Sequence, residues 1–328
     1  MSDLIFHIGL PKTASSFLQR NVFGGKMYTL EEGGNIDWQE QKRFHSFFRN
    51  TSPCVWRSDK AKKYLNSFHR DRKNVLISNE SLYEGHLSVF PWGKLGRNRH
   101  DAVEPYLIAD RIREISSNAW NEGDVKVFFF FRRQPDFIAS FYSHVCHMVE
   151  SPSQNDFEYR IEKVLDSPYE YGAPALCYNL LVEELNNAVG NQNVLAIPYE
   201  AFSADKTWKK VRAFTGIGCL GKGVDFENKS VNRKRKNKAE WVASSSGKST
   251  ISGYLAEIVK NNIGSIYDNA ILIRRIGRKI KNLEMYGSTE LKIEMNKDIR
   301  TKIMSLYSKS NKRLDKKIEY DLAKYDYY

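Results

Sequence analysis

Four short apolar runs punctuate the chain, at Leu4-Ile5-Phe6-His7-Ile8, Asn74-Val75-Leu76-Ile77-Ser78, Val125-Lys126-Val127-Phe128-Phe129-Phe130-Phe131 and Asn193-Val194-Leu195-Ala196-Ile197-Pro198. Runs of this length suit buried parallel strands and are too short for core helices. Between them the apolar positions change to a helical period. Ser15 or Ser16 can cap a helix carrying Phe17, Leu18 and Val22 on one face. Leu107, Ile108, Ile112, Ile115 and Ala119 predict a helix within 104–120. Phe137, Ile138, Phe141 and Val145 predict another, with Pro135 in its first turn. Leu176, Leu180, Leu181 and Leu185 predict a helix over 173–189 with all four inward. Leu291, Met295, Ile299, Ile303 and Leu306 share the spacing of an amphipathic helix that docks on the rest. A second short strand is expected at 26–30, covering helices at 37–49 and 57–70, and a long excursion at 84–104. Strands alternating with helices in this way predict an α/β fold with a mostly parallel sheet.

The first strand runs straight into Gly9-Leu10-Pro11-Lys12-Thr13-Ala14-Ser15-Ser16 and then a helix. A loop entering a helix points unpaired N–H groups and the positive end of the helix dipole at one place, which suits phosphate or sulfate. Lys12 adds a mobile charge; Thr13, Ser15 and Ser16 add hydroxyl donors. An ordinary strand-to-helix turn with a surface lysine would carry the same residues, so this stretch alone leaves both readings open. It does disfavour a nucleoside triphosphatase. A Walker A loop needs G-x-x-x-x-G-K-[ST], and no second glycine precedes Lys12. Gly247-Lys248-Ser249-Thr250 imitates the end of such a loop, but Val242 stands at the required glycine, and the stretch reads as a polar connection.

In a parallel sheet every strand ends on one edge. Glu80, just past the run at 74–78, is therefore expected on the side where the loop opens, unless it merely caps or pairs with a following helix. Arg132 ends the phenylalanine strand, and Ser140 follows eight positions later in an aromatic-rich helix, Ser140-Phe141-Tyr142-Ser143-His144. A guanidinium fork with a hydroxyl can hold a terminal phosphate.

Pro-Lys-Thr-Ala-Ser-Ser-Phe at 11–17 resembles the 5′-phosphosulfate loop of sulfotransferases that use 3′-phosphoadenosine 5′-phosphosulfate (PAPS). Arg132 with Ser140 resembles their 3′-phosphate site, and Tyr199-Glu200 is similar to the pair that closes the corresponding strand. The resemblance covers roughly residues 4 to 217, about two thirds of the chain. It implies a P-loop NTPase-like three-layer α/β fold with helices flanking the sheet. It also implies PAPS as cofactor and 3′,5′-diphosphoadenosine as product, with Pro11, Lys12, Thr13, Ala14, Ser15 and Ser16 around the phosphosulfate. Phe17 and Tyr199 would lie near the nucleotide, and Arg132 and Ser140 would hold the 3′-phosphate. Asn232, Arg233 and Lys234 in the basic run 229–238 would close over it, although such a run is equally a solvated surface segment. Lys12 would stabilise charge on the bridging oxygen, and a general base would take the acceptor's proton. Glu80 is chosen for that base by position, with Glu31, Glu32, His45 and His86 as alternatives.

Composition then narrows partners. The 328 residues carry a formal charge of +12, which implies an anionic partner. A single domain over 1–328 is expected, with a cofactor-binding core at 1–220 and a basic loop and helical extension at 221–328. Cys54, Cys146, Cys177 and Cys219 are scattered, and His144 with His147 lacks a third ligand, so no metal is expected. No transmembrane run or signal pattern is visible, giving a bacterial cytoplasmic enzyme as the expectation, with association at a membrane surface left open. The acceptor is expected to be a surface glycan, a glycolipid or a small alcohol, and no nucleic acid. A small-molecule kinase and a non-catalytic anionic-polymer-binding protein are the rival classes.

Overall fold

The computed structural model describes residues 2–23, 34–35, 43–48, 51–69, 74–83, 87–90, 105–149, 151–224, 226, 240–244 and 290–328. The strand expected at 26–30, most of the 84–104 excursion, the basic run with Asn232, Arg233 and Lys234, and residues Glu31, Glu32, His86 and 247–250 lie outside these.

A five-stranded sheet in the order β2-β3-β1-β4-β5 forms the centre. Its strands are β1 (Leu4–Ile8), β2 (Gly34–Asn35), β3 (Val75–Asn79), β4 (Val125–Phe131) and β5 (Val194–Pro198). Every pairing is parallel, with Leu4 opposite both Val75 and Val125 and Phe128 opposite Leu195. Each of the four apolar runs is one strand. β1 is buried throughout and β4 at every position but Lys126, because both faces are covered. This is the expected α/β architecture, a parallel sheet flanked by helices with a strand-to-helix loop after β1. The carboxyl ends of β1, β3, β4 and β5 open on one edge, where parallel α/β sheets place their ligands.

Helices occupy Pro105–Glu114, Gln134–Val145, Gln154–Asp166, Tyr178–Val189, Asp205–Thr215 and Lys297–Asp315. The Gln134–Val145 helix starts with Pro135 in its first turn and buries Phe137, Ile138, Phe141 and Val145, as its spacing predicted.

Three local expectations are corrected. The first helix, α1 (Ser15–Asn21), is capped by neither serine. Its N-cap is Ala14 in the left-handed conformation, and both hydroxyls are engaged elsewhere. The helix predicted over 173–189 begins at Tyr178, after a tight turn at Ala173–Leu176, and Leu180 faces solvent. Leu291 belongs not to a helix but to β7 (Glu290–Glu294), antiparallel to β6 (Glu240–Ser244). Leu291, Ile293 and Met295 alternate inward with a period of two, and the helix takes over at Lys297.

Candidate active site

The loop after β1 is curled by two residues with positive φ, Lys12 and Ala14, both at 63°. Neither is glycine, so the conformation is held against a steric cost. Two hydroxyls hold it. Thr13 Oγ1 and Ser15 Oγ both donate to the carbonyl of Leu10, at 2.7 and 3.3 Å. Left-handed residues of this kind turn neighbouring backbone N–H groups to one side, the geometry of a concavity that suits an anion. Gly9 is required for a different reason. A Cβ there would stand 2.8 Å from the Cα of Glu80 and 2.8 Å from Ser15 Oγ.

That close approach brings the end of β3 against the loop. Ser16 Oγ donates to Glu80 Oε1 at 2.8 Å, so the carboxylate stands beside the first turn of α1. Glu80 emerges on the loop's side of the sheet, where strand direction placed it.

Arg132 and Arg133 leave the end of β4 with opposite fates. Arg133 sits among three carboxylates, Asp136 at 2.7 Å, Asp326 at 3.2 Å and Glu200 at 3.5 Å. Asp136 is shared with Arg300 at 2.9 Å. Burial acts to raise Asp136, but the two guanidinium groups outweigh it and hold the carboxyl below its ordinary range. Glu200 goes the other way, raised by burial despite the hydroxyl of Tyr327. Arg132 makes no ion pair among the described residues. Its side chain is nearly buried, its Nε has no hydrogen-bond partner, and Nη1 reaches the carbonyl of Lys12 only at 3.4 Å. The ring of Tyr199 lies 5.2 Å from the guanidinium carbon, within cation–π range. The Arg132 carbonyl accepts from Tyr178 at 3.0 Å.

Ser140 is in the second turn of the following helix, 8 % exposed, and its hydroxyl makes no hydrogen bond among the described residues. Phe17 is buried, its ring facing Phe202 and Phe226 at 5.9 and 6.0 Å. Pro11 and Lys12 are half-buried at the rim of the loop. His45 lies in a helical segment over 43–48 that covers the sheet through Phe44 and Phe48, both packed on Phe6. His144 is exposed, and among the described residues no three metal-ligating side chains cluster.

Sequence reasoning missed Tyr178 and Tyr327. Nothing in their local context marks them, since what distinguishes them is a contact with β4 from distant parts of the chain.

No protein-family profile and no curated protein matches this chain. Among solved structures it is similar to a sulfotransferase from Alicyclobacillus acidocaldarius, with a TM-score of 0.49 and 14 % identity over 98 % of each chain. A likeness of that degree carries no chemistry across.

Proposed function

We propose that this chain is a PAPS-dependent sulfotransferase. The observation that carries the reading is Arg132, a nearly buried guanidinium with an unpartnered Nε and no carboxylate, beside a loop curled around its own N–H groups. A buried cation without an ion pair among the described residues, its nearest acids Asp136 and Glu200 engaged with Arg133, lacks the direct partner that buried charges ordinarily have, and a phosphate would supply it. Arg133 next to it is the structural ion-pair residue, so the two roles are divided between neighbours.

The residues fit the cofactor at both ends. The N–H groups of residues 12–16, in the curl that Thr13 and Ser15 shape through the Leu10 carbonyl, would hold the 5′-phosphosulfate together with Lys12; Arg132 and Ser140 would hold the 3′-phosphate. The aromatic group of Phe17, Phe202 and Phe226, with Tyr199 under Arg132, would offer the adenine its apolar surface. Asn232, Arg233 and Lys234, outside the described residues, are proposed as further ligands of the 3′-phosphate. What PAPS supplies is an activated sulfuryl group, moved from its anhydride oxygen to an acceptor hydroxyl or amine. Lys12 and the loop N–H groups stabilise the negative charge that builds on the bridging oxygen. Glu80 takes the proton of the acceptor, and Ser16 holds Glu80 in orientation through its hydrogen bond. The acceptor class we favour is a bacterial surface glycan or glycolipid carrying acidic groups, on the strength of the +12 charge; a small alcohol is the alternative.

Calorimetric titration with 3′,5′-diphosphoadenosine, with AMP as control, tests the reading on wild type and Arg132→Ala. Preference for the diphosphate that collapses in the variant supports it. Equal, weak binding of both nucleotides overturns it and leaves anionic-polymer binding as the better reading.

A further inference from the structure

The peptide groups on both sides of Arg132 are held by buried phenols. Tyr178 Oη donates to the Arg132 carbonyl at 3.0 Å, and Tyr327 Oη lies 3.3 Å from the carbonyl of Phe131. Both rings also pack on the ring of Phe131, with centroids 5.1 and 5.5 Å away. Tyr327 reaches this place from 196 positions further along the chain.

Its neighbours in sequence and space fasten the same segment. Gln134 and Asn311, both fully buried, exchange hydrogen bonds through their amides at 2.9 and 3.1 Å. Arg300 holds Asp136, Asp326 holds Arg133, and Asn311 Nδ2 donates to the Tyr327 carbonyl at 2.8 Å. Phe131, Arg133, Gln134 and Asp136 are thus tied to residues 300–327, while the Arg132 side chain is directed at Lys12. A phenol has one proton to give, and the shorter contact of Tyr327 is with Glu200 Oε2 at 2.7 Å. Removing that hydroxyl therefore strips the buried carboxyl of Glu200 of its donor, and Glu200 in turn faces the Arg133 N–H at 3.4 Å and the Arg133 guanidinium at 3.5 Å, next to Arg132.

We infer that Tyr327 is a positioning residue for the anion site, fixing together with Tyr178 the main chain from which the Arg132 guanidinium projects. The inference rests on the reading that Arg132 receives the 3′-phosphate. Misdirection of Arg132 weakens only ligands that carry that phosphate, whereas a merely structural role would leave the preference between two nucleotides unchanged.

The test is calorimetric titration of the full chain with 3′,5′-diphosphoadenosine and with AMP, in wild type, Tyr327→Phe and Tyr328→Phe. Tyr328 bonds only to Asp315 among the described residues, at 3.0 Å, and serves as the control. Tyr327→Phe is expected to weaken the diphosphate about fivefold, the worth of one hydrogen bond, with AMP unchanged and Tyr328→Phe like wild type. A wild-type ratio of the two affinities in Tyr327→Phe overturns the inference, whatever happens to its melting temperature. Should that variant not fold, a wild-type ratio in Tyr178→Phe overturns it. A wild type without preference for the diphosphate removes the 3′-phosphate reading itself, a result distinct from loss of the Tyr327 role alone.

Discussion

Ser16 gives its hydroxyl proton to Oε1 of Glu80 at 2.8 Å, joining residues 64 positions apart. The bond ties the turn after β3 to the first turn of α1, so a carboxylate and a curled anion loop share one rim. Gly9 makes the approach sterically feasible. The proposed role of Glu80 as base rests on this placement, with the Ser16 hydroxyl fixing one carboxylate oxygen.

Glu80→Gln keeps the shape and removes the basicity. Transfer to an acceptor glycan is expected to fall about 10²–10⁴-fold, the usual worth of a positioned base, while affinity for 3′,5′-diphosphoadenosine stays near wild type. Turnover at the wild-type rate would take Glu80 out of the role.

Arg132→Ala and Arg133→Ala should fail in different ways. Arg132→Ala loses one long hydrogen bond and is expected to unfold in urea near the wild-type midpoint, yet to lose about 10–100-fold in affinity for the diphosphate over AMP. Arg133→Ala leaves Asp136, which is 1 % exposed, with Arg300 alone and removes the cation beside Glu200, and is expected to cost about 3 kcal/mol. If both variants lose stability equally, Arg132 is a structural arginine like its neighbour.

Gly9→Ala would set a methyl 2.8 Å from the Cα of Glu80, a backbone atom that cannot rotate away. About 1–3 kcal/mol of destabilisation is expected from urea unfolding, as for other overpacked sites. Transfer should fall as well, because the strain lands on the base; unchanged activity would separate Glu80 from the chemistry.

His7 lies in the middle of β1, wholly buried, with Nδ1 2.8 Å from Ser78 Oγ and no partner for Nε2. Burial pushes its pKa down to about 3. An unfolded histidine titrates near 6.5, so below that pH the unfolded chain takes up a proton that the native chain refuses. The stability is whole above pH ~6.5 and declines by about 1.4 kcal/mol per pH unit as the pH falls towards the folded value. Urea midpoints at about pH 7 and about pH 5.5 should diverge in wild type and converge in His7→Phe. An equal drop in both proteins would assign the acid sensitivity to other groups.

β1, β3, β4 and β5 were legible because each is a short, mostly apolar run of its own, whereas Gly34–Asn35 and the β6–β7 pair carry no such run; strand direction alone placed Glu80 beside the loop. Arg132 could be read as a phosphate ligand only through its spacing to Ser140; that Arg133, and not Arg132, takes the carboxylates depends on Asp136 three positions on and on Glu200 and Asp326, far away in sequence. The serine cap failed because Ala14 adopts a left-handed conformation that residue type does not advertise. Leu291 was assigned to a helix because Leu291 and Met295 stand four apart; Ile293 between them carries the alternation that decides for a strand. Leu180 fits the helical stripe yet faces out, since the stripe is wider than the surface that covers it. Tyr327 had no local signal, because its whole significance is a partner on β4.

That partner also sets an order of events during synthesis. A ribosome that has made β1 through β5 has already produced Gly9, Glu80, Arg132 and Tyr199, but the phenol that grips the Phe131 carbonyl is translated more than a hundred codons after β5. A nascent chain can therefore lay down its sheet early and still hold the strand end at Arg132 by Tyr178 alone until the helix at Lys297–Asp315 and Tyr327 have emerged.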